Sequence, residues 1–374
     1  MRIALVHDYL TQYGGAERVL DVLKELYPDA PVFTSVVDLA EFPERYRDWE
    51  IHSSFMARLP GSERYHRALL PLYPAAFRSF RRELEAFDIV LSDSSAWSHQ
   101  AGGGPSALRV CYCHSPARFL YNDENYLAPA IVPRPLKPLL PPVLAGLRSV
   151  DKRAAKHVDH YIANSATVAA RIRDAYGRDA EVIYPPVDVD RFDNGTEPTD
   201  GDYFLVVSRL VPHKRIDLPV LAATKSGVPL KVVGTGRALD QLRALAGPNV
   251  EFLGRQDDEH VAALLRGSRG FILPGAEDFG MTAVEAQAAG KPVIAYGVGG
   301  ALESVVEGET GLFFHEPTAD SLLSAIQRFE NVSWQRDVIQ KNAACFGRDQ
   351  FKTRIAATIE RAYADFSTRR SAAE

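Results

Sequence analysis

The sequence predicts an α/β protein of two doubly wound domains, each built on a parallel sheet, and three observations predict it. Short Val- and Ile-rich runs alternate with longer segments of helical periodicity, as in a sheet with crossover helices. The alternation occurs twice. The chain has 374 residues, more than one ordinary core organises, because domains cluster at roughly 100 to 200 residues.

In the first half, 2–7, 32–36, 88–92, 109–113, 160–163 and 181–184 read as strands, with helices at 15–27 and 167–175. In the second half the strands are 203–208, 231–233, 250–253, 270–273, 292–295 and 311–314, and the helices 218–224, 238–245, 257–265 and 282–289. Between them Pro185, Pro186 and the run Asp193-Asn194-Gly195-Thr196-Glu197-Pro198 break both periodicities. The expected organisation is a domain over 1–185, a linker over 186–202 and a domain over 203–345. After Ser321 the pattern is helical to the end, with breaks near Ser333 and Gly347, and 346–374 is expected to return to the first domain.

Hydrophobic residues are 46% and charged residues 24%, a globular composition, and a net charge of -5 excludes nucleic acid as the partner of the whole molecule. Cys111, Cys113 and Cys345 form no even disulfide framework, and no second Cys or His pair completes a zinc site around the first two. His7 and Asp8 interrupt the first apolar run too soon for a signal-peptide core, and no run approaches the roughly 20 apolar residues of a membrane span. A reducing, cytoplasmic setting is expected, at most peripheral on the inner membrane face.

The most informative stretch is PGAEDFGMTAVEAQAAGKP, 274–292. A strand ends at Leu273, a loop carries Glu277 and Gly280, and a helix opens at Met281 and stops at Gly290. Free N–H groups at the helix start seat a diphosphate. Glu285, one turn on, is placed for a ribose diol, and Glu277 for the other end of the same ligand. Read alone, both are ordinary surface and helix-start acids. In SRLVPHKRID, Arg209 and Lys214 follow a strand at the carboxyl edge of the sheet, where ligands bind in open α/β folds. Together they supply the charge that neutralises a leaving diphosphate without a metal, although either alone reads as a solvated loop charge. VVGTGR, 232–237, runs from a strand into a Gly-rich turn at Gly234 that lets backbone approach a ligand.

These residues resemble family four of the glycosyltransferases, whose GT-B fold sets two Rossmann-like domains across a cleft. The family's E-x7-E motif matches Glu277 and Glu285, its phosphate pair matches Arg209 and Lys214, and FLGR ending at Arg255 matches its strand end beside the base. The resemblance implies that Glu285 binds ribose, that Glu277 approaches the sugar, and that Phe279, Gly280, Met281 and Thr282 line the phosphate seat. In the first half, Gly14 and Gly15 in VHDYLTQYGGAERVL resemble the family's loop near the donor phosphate and acceptor. His114 in CYCHSPARFLY falls where the family carries a His that contacts the transferred sugar. A lone His after a strand is otherwise a common structural residue. The wording EDFGMTAVEAQAAGKPVIAYGVGGALESV is most similar to mannosyltransferases of surface-polysaccharide assembly, which implies GDP-mannose as donor and a glycan or lipid-linked acceptor.

Family resemblance also implies retention of anomeric configuration. No pair of carboxylates suited to a retaining hydrolase, about 5 Å apart, is evident, so the donor phosphate is expected to take the acceptor proton. Asp188-Val189-Asp190 mimics a metal-binding D-x-D but sits beside Pro186 and reads as a turn, so no metal and no cofactor are expected. Because ligand contacts come from both halves, donor binding is expected to draw the halves together about the linker.

Between Phe55 and Phe87, Arg58, Arg64, His66, Arg67, Arg78, Arg81 and Arg82 interleave with Leu69, Leu70, Leu72, Tyr73, Phe77 and Phe80. Two readings stand: a basic segment lying on anionic lipid, or amphipathic helices packed on the sheet. The prolines 129, 133, 135, 138, 141 and 142 mark an irregular loop. A dehydrogenase is disfavoured, because Gly234-Thr235-Gly236 lacks the third glycine of its fingerprint. A sugar-nucleotide epimerase would act without an acceptor, and a decayed, non-catalytic relative would not keep Arg209, Lys214, Glu277 and Glu285.

Overall fold

The computed structural model describes residues 1–121, 138–192 and 201–372, with the side chain of Arg67 also outside it. The prolines 129, 133 and 135 and the linker run 193–198 therefore lie outside the described residues. The chain divides into two compact units, Met1–Tyr184 with the segment from Phe351 onward, and Pro185–Gln350.

The first unit holds seven parallel strands: β1 (Ile3–His7), β2 (Val32–Thr34), β3 (Ile51–Ser53), β4 (Ile89–Ser94), β5 (Leu108–Cys113), β6 (His160–Ala163) and β7 (Glu181–Val182). Their order is β3-β2-β1-β4-β5-β6-β7. Every residue of β1 and β4 is buried, which is why each opens with a continuous apolar run, 3–6 and 89–91, and not with alternation. β3 was not visible in the sequence. Its residues, Ile-His-Ser, carry one apolar side chain, and only pairing with β2 defines it. β2 ends at Thr34, two residues short of the expected 36.

The helix Arg348–Ser371 closes this unit. Phe351, Ile355 and Ile359 recur at helical spacing and are buried in the same core as Leu5, Leu91 and Tyr112. Each such side chain contributes about 2 kcal/mol by burial. Arg361 and Thr358 bond Glu181 at 2.6 and 3.0 Å, and Lys352 pairs with Glu25 at 2.9 Å, which fixes the helix register.

The second unit holds six parallel strands: β8 (Phe204–Val207), β9 (Leu230–Val233), β10 (Val250–Gly254), β11 (Gly270–Leu273), β12 (Val293–Tyr296) and β13 (Gly311–Phe314). Their order is β10-β9-β8-β11-β12-β13. In each sheet the winding reverses once, between β1 and β4 and between β8 and β11. Ligands of doubly wound sheets bind outside the carboxyl ends of the strands at such a reversal.

The 55–87 segment turns its apolar side inward. Tyr73, Phe77 and Phe80 are buried with Phe33 and Trp97, and Leu69, Leu70 and Leu72 pack at the margin of that cluster. Of the two readings, helices packed on the sheet describe these side chains. No helix among the described residues is long and apolar enough to cross a membrane.

Candidate active site

In the second unit the chain leaves β8 at Ser208 and passes through Arg209 into a single helical turn, Pro212–Lys214. Arg209 is exposed. Lys214 reaches the loop that follows β11, where its Nζ lies 2.5 and 2.6 Å from the two carboxylate oxygens of Glu277. The side chains keep 18% and 15% of their exposure, so the pair is mostly withdrawn from water yet open on one side. Arg209, Lys214 and Glu277 thus stand on the connections that follow the two strands flanking the reversal.

Gly280 caps the helix Met281–Ala288 in a left-handed conformation, φ 87°, which any residue with a Cβ adopts at a cost. The turn aims the first N–H groups of that helix out of the sheet edge, and Met281 and Thr282 are partly exposed there. The Phe279 ring is buried against Phe346 with centroids 5.3 Å apart, so this side chain belongs to the core and only its backbone is available to a ligand. Gly300 N–H donates to the Glu277 carbonyl at 2.9 Å, tying the loop after β12 to the Glu277 loop.

Glu285 is 7% exposed, with Arg191 Nη2 3.6 Å from its carboxylate. Arg191 also binds Asp258 at 2.6 Å. This arginine was not singled out in the sequence, because it sits in the linker among residues that read as a turn. Asp188 lies 3.8 Å from Arg348, and Asp190 opens the turn Asp190–Phe192.

Gly234 lies close against neighbouring backbone. A Cβ on it would lie 1.9 Å from the Ser208 carbonyl oxygen, and its φ is 131°. The glycine permits strand-end backbone to pack on the loop that carries Arg209, where the Leu210 N–H donates to the Thr235 carbonyl at 2.9 Å. Arg255 follows β10 and is exposed, two strands from the reversal.

In the first unit three adjacent strands end in polar side chains that meet in the core. His7 closes β1 and is in register with Asp93 on β4. Asp93 Oδ2 is 2.9 Å from His7 Nδ1, and its Oδ1 is 2.6 Å from Nε2 of His114, just past β5. His7 Nε2 lies 3.4 Å from Glu17 Oε1, and the other Glu17 oxygen accepts the Gly14 N–H at 2.8 Å. A continuous chain therefore links Gly14, at the mouth of the helix Gly15–Leu26, to His114. Asp8 accepts four backbone N–H groups, from Ser95 to Ser98, at 2.6 to 2.8 Å and fixes the loop after β4.

Burial disfavours the charged form of His7, but its hydrogen bonds to Asp93 and Glu17 outweigh this and push its pKa up to about 10. Burial alone would raise Asp93; the charge and hydrogen bond of His114, with the His7 bond, hold its carboxyl below the usual range. Because the Asp93 carboxylate only accepts, His114 donates from Nε2 and leaves Nδ1 as its second polar atom. Sequence reasoning found His114 but not Asp93, His7, Asp8 or Glu17. Their signal was the polar residue ending an otherwise apolar strand, in VHD, LSD and CYCH.

Two doubly wound parallel α/β units, each carrying charged groups at the carboxyl edge of its sheet reversal, define the chain as a GT-B protein. Residues 13–191 match glycosyltransferase family 4 and residues 189–345 match the glycosyl transferases group 1, so the two units together carry the domain pair of the family-four type. It is 28% identical over 223 residues to an uncharacterised glycosyltransferase of Methanocaldococcus jannaschii, covering 58% of this chain and 62% of that one. It is 28% identical over 253 residues to the D-inositol 3-phosphate glycosyltransferase of Mycobacteroides abscessus, covering 60% and 56%. The matched stretch is thus less than two thirds of the length of either relative. The structure of Anabaena HepE in complex with UDP superposes with a TM-score of 0.72 at 20% identity, over 96% of this chain and 100% of that one.

Proposed function

We propose that the chain transfers a hexose from a nucleoside-diphosphate sugar to a hydroxyl of a glycan or lipid-linked acceptor, with retention and without a metal. GDP-mannose is the donor favoured by the sequence between Glu277 and Val305. The observation that carries the reading is the placement of Arg209, Lys214 and the start of the helix Met281–Ala288 around one sheet reversal. Cations and oriented N–H groups at one point stabilise the charge that develops on a departing diphosphate.

The bond between the sugar's anomeric carbon and the phosphate oxygen breaks as the acceptor oxygen bonds that carbon, and the acceptor proton passes to the departing phosphate. Arg209 and Lys214 hold the phosphate charge. Glu277 orients Lys214 and faces the sugar, Glu285 binds the ribose diol, and His114 contacts a sugar hydroxyl through the nitrogen that Asp93 does not occupy. The buried thiols of Cys111 and Cys113 suit a reducing compartment, such as the cytoplasm.

A thermal-shift screen with GDP, UDP, ADP and their sugars tests the donor, because a ligand of the native state alone raises the melting temperature. Stabilisation by GDP and GDP-mannose above the others is expected. Stabilisation by UDP-sugars instead would select the second reading, a UDP-sugar donor, which the UDP-bound structure of HepE favours. No response to any nucleoside diphosphate contradicts both.

A further inference from the structure

Unit one carries a cavity at the amino-terminal edge of its sheet, away from His114. It has a volume of about 450 Å³, in the range of about 300 to 1,000 Å³ typical of small-molecule sites. Arg78, Arg81, Arg109, Arg153 and His157 line it, together with an apolar and backbone wall that includes Ala101, Gly103 and Val150. Arg109 is the second residue of β5 whereas His114 follows its end, so at about 3.3 Å per residue the two lie roughly 16 Å apart.

The cations of this cavity have few acids. Among the described residues Arg81 alone of the four arginines has an ion-pair partner, the exposed Glu85 at 3.6 Å. Arg78 and Arg153 bond through Nε to carbonyls of their own helices, Pro74 at 2.8 Å and Ser149 at 3.3 Å, and Arg109 bonds the Gly103 carbonyl at 3.0 Å. The buried acid Asp151, bonded to the lining residue Gln100 at 2.9 Å, is also engaged by Tyr121 and Tyr176 at 2.8 and 3.0 Å and by His99 at 3.1 Å. Burial, and the neighbouring charge of Arg81, lower the Arg109 pKa against the pull of Asp159. Four guanidiniums lining one cavity, with Glu85 as their one ion-pair partner among the described residues, offer N–H donors suited to phosphate oxygens.

We propose that this cavity binds a phosphate ester: its phosphate among Arg81, Arg109 and Arg153, and its organic group against the Ala101–Gly103 wall. The source is a soluble phosphate ester or the headgroup of an anionic phospholipid. The site is distinct from the proposed donor seat, and its occupancy is read without donor or acceptor, so it stands or falls apart from the transferase reading.

Calorimetric titration of the full chain with glycerol 3-phosphate tests it, with glycerol as the neutral comparison. Wild type should bind glycerol 3-phosphate and not glycerol, and Arg81→Gln/Arg153→Gln, which alters two exposed side chains, should bind at least tenfold more weakly with an unchanged melting temperature. Arg209→Ala, in the other unit, should bind like wild type. Flotation with phosphatidylglycerol against phosphatidylcholine vesicles then assigns the source. Binding to phosphatidylglycerol alone, lost in the double variant and displaced by glycerol 3-phosphate, supports the lipid headgroup; titration without flotation supports a soluble ester. Equal binding by wild type and double variant, or no binding of either probe by wild type, overturns the site. Should the double variant melt early, Arg81→Gln alone carries the same comparison.

Discussion

Lys214 Nζ lies 2.5 and 2.6 Å from the two oxygens of Glu277, so the cation proposed to meet the donor phosphate is also held by a carboxylate. A diphosphate entering this site competes with Glu277 for one ammonium. Neutralising the acid while keeping its shape releases the lysine. Glu277→Gln is therefore expected to bind nucleoside diphosphate more tightly than wild type while transferring sugar about 100-fold more slowly, the scale of one lost preorganised contact. Calorimetry with the bare diphosphate and a transfer assay check the two halves; weaker nucleotide binding by Glu277→Gln would show that the pair does not compete with phosphate.

His114 and Glu285 stand on different units and should fail differently. His114→Ala is expected to lower turnover by about 100-fold with little change in nucleotide affinity, whereas Glu285→Ala should weaken the nucleotide itself. Titration of both variants with the same nucleoside diphosphate decides this. Equal losses of affinity would remove the division of roles.

The His7 imidazolium between Asp93 and Glu17 makes stability depend on alkaline pH. Its folded pKa of about 10 lies above the ordinary histidine value of about 6.5, so its contribution is complete below that value and is lost as pH rises toward 10. The melting temperature of wild type should fall across this window. His7→Gln should be destabilised by about 3 kcal/mol at pH 7, the scale of breaking a buried ion pair, and should show a flatter pH profile. A wild-type slope retained in His7→Gln would place the titration elsewhere.

Gly234 tests how the Arg209 loop is held. Gly234→Ala puts a methyl group 1.9 Å from the Ser208 carbonyl in a backbone region that L-residues avoid, so the loop must move. A lower melting temperature together with weakened nucleotide binding is expected from differential scanning fluorimetry and titration. Weakened binding in a protein of unaltered stability would instead mean that Gly234 meets the ligand directly.

Most of the sheet architecture could be read in the sequence because a parallel strand covered on both faces carries a continuous apolar run, as in 3–6 and 89–91. β3 could not, since its pairing with β2 is a long-range property that Ile51, His52 and Ser53 do not encode locally. The second-unit site residues were legible because Arg209, Lys214, Glu277 and Glu285 each lie within a few residues of a strand end or helix start. The support beneath His114 was hidden for the opposite reason. Asp93 and His7 are 86 residues apart and become neighbours only when β1 and β4 pair in register. Arg191 reaches Glu285 in the same non-local way.

Arg209 and Lys214, with the start of the helix Met281–Ala288, are proposed to form a diphosphate seat that works without a metal. Calorimetric titration of wild type and Arg209→Ala/Lys214→Ala with a nucleoside diphosphate and the matching monophosphate, in chelator, tests it most directly. Wild type should prefer the diphosphate by at least about tenfold, each 1.4 kcal/mol of phosphate contact being tenfold in affinity, and the double variant should lose that preference. Equal binding of mono- and diphosphate by wild type, or an undiminished preference in the double variant, would contradict the account.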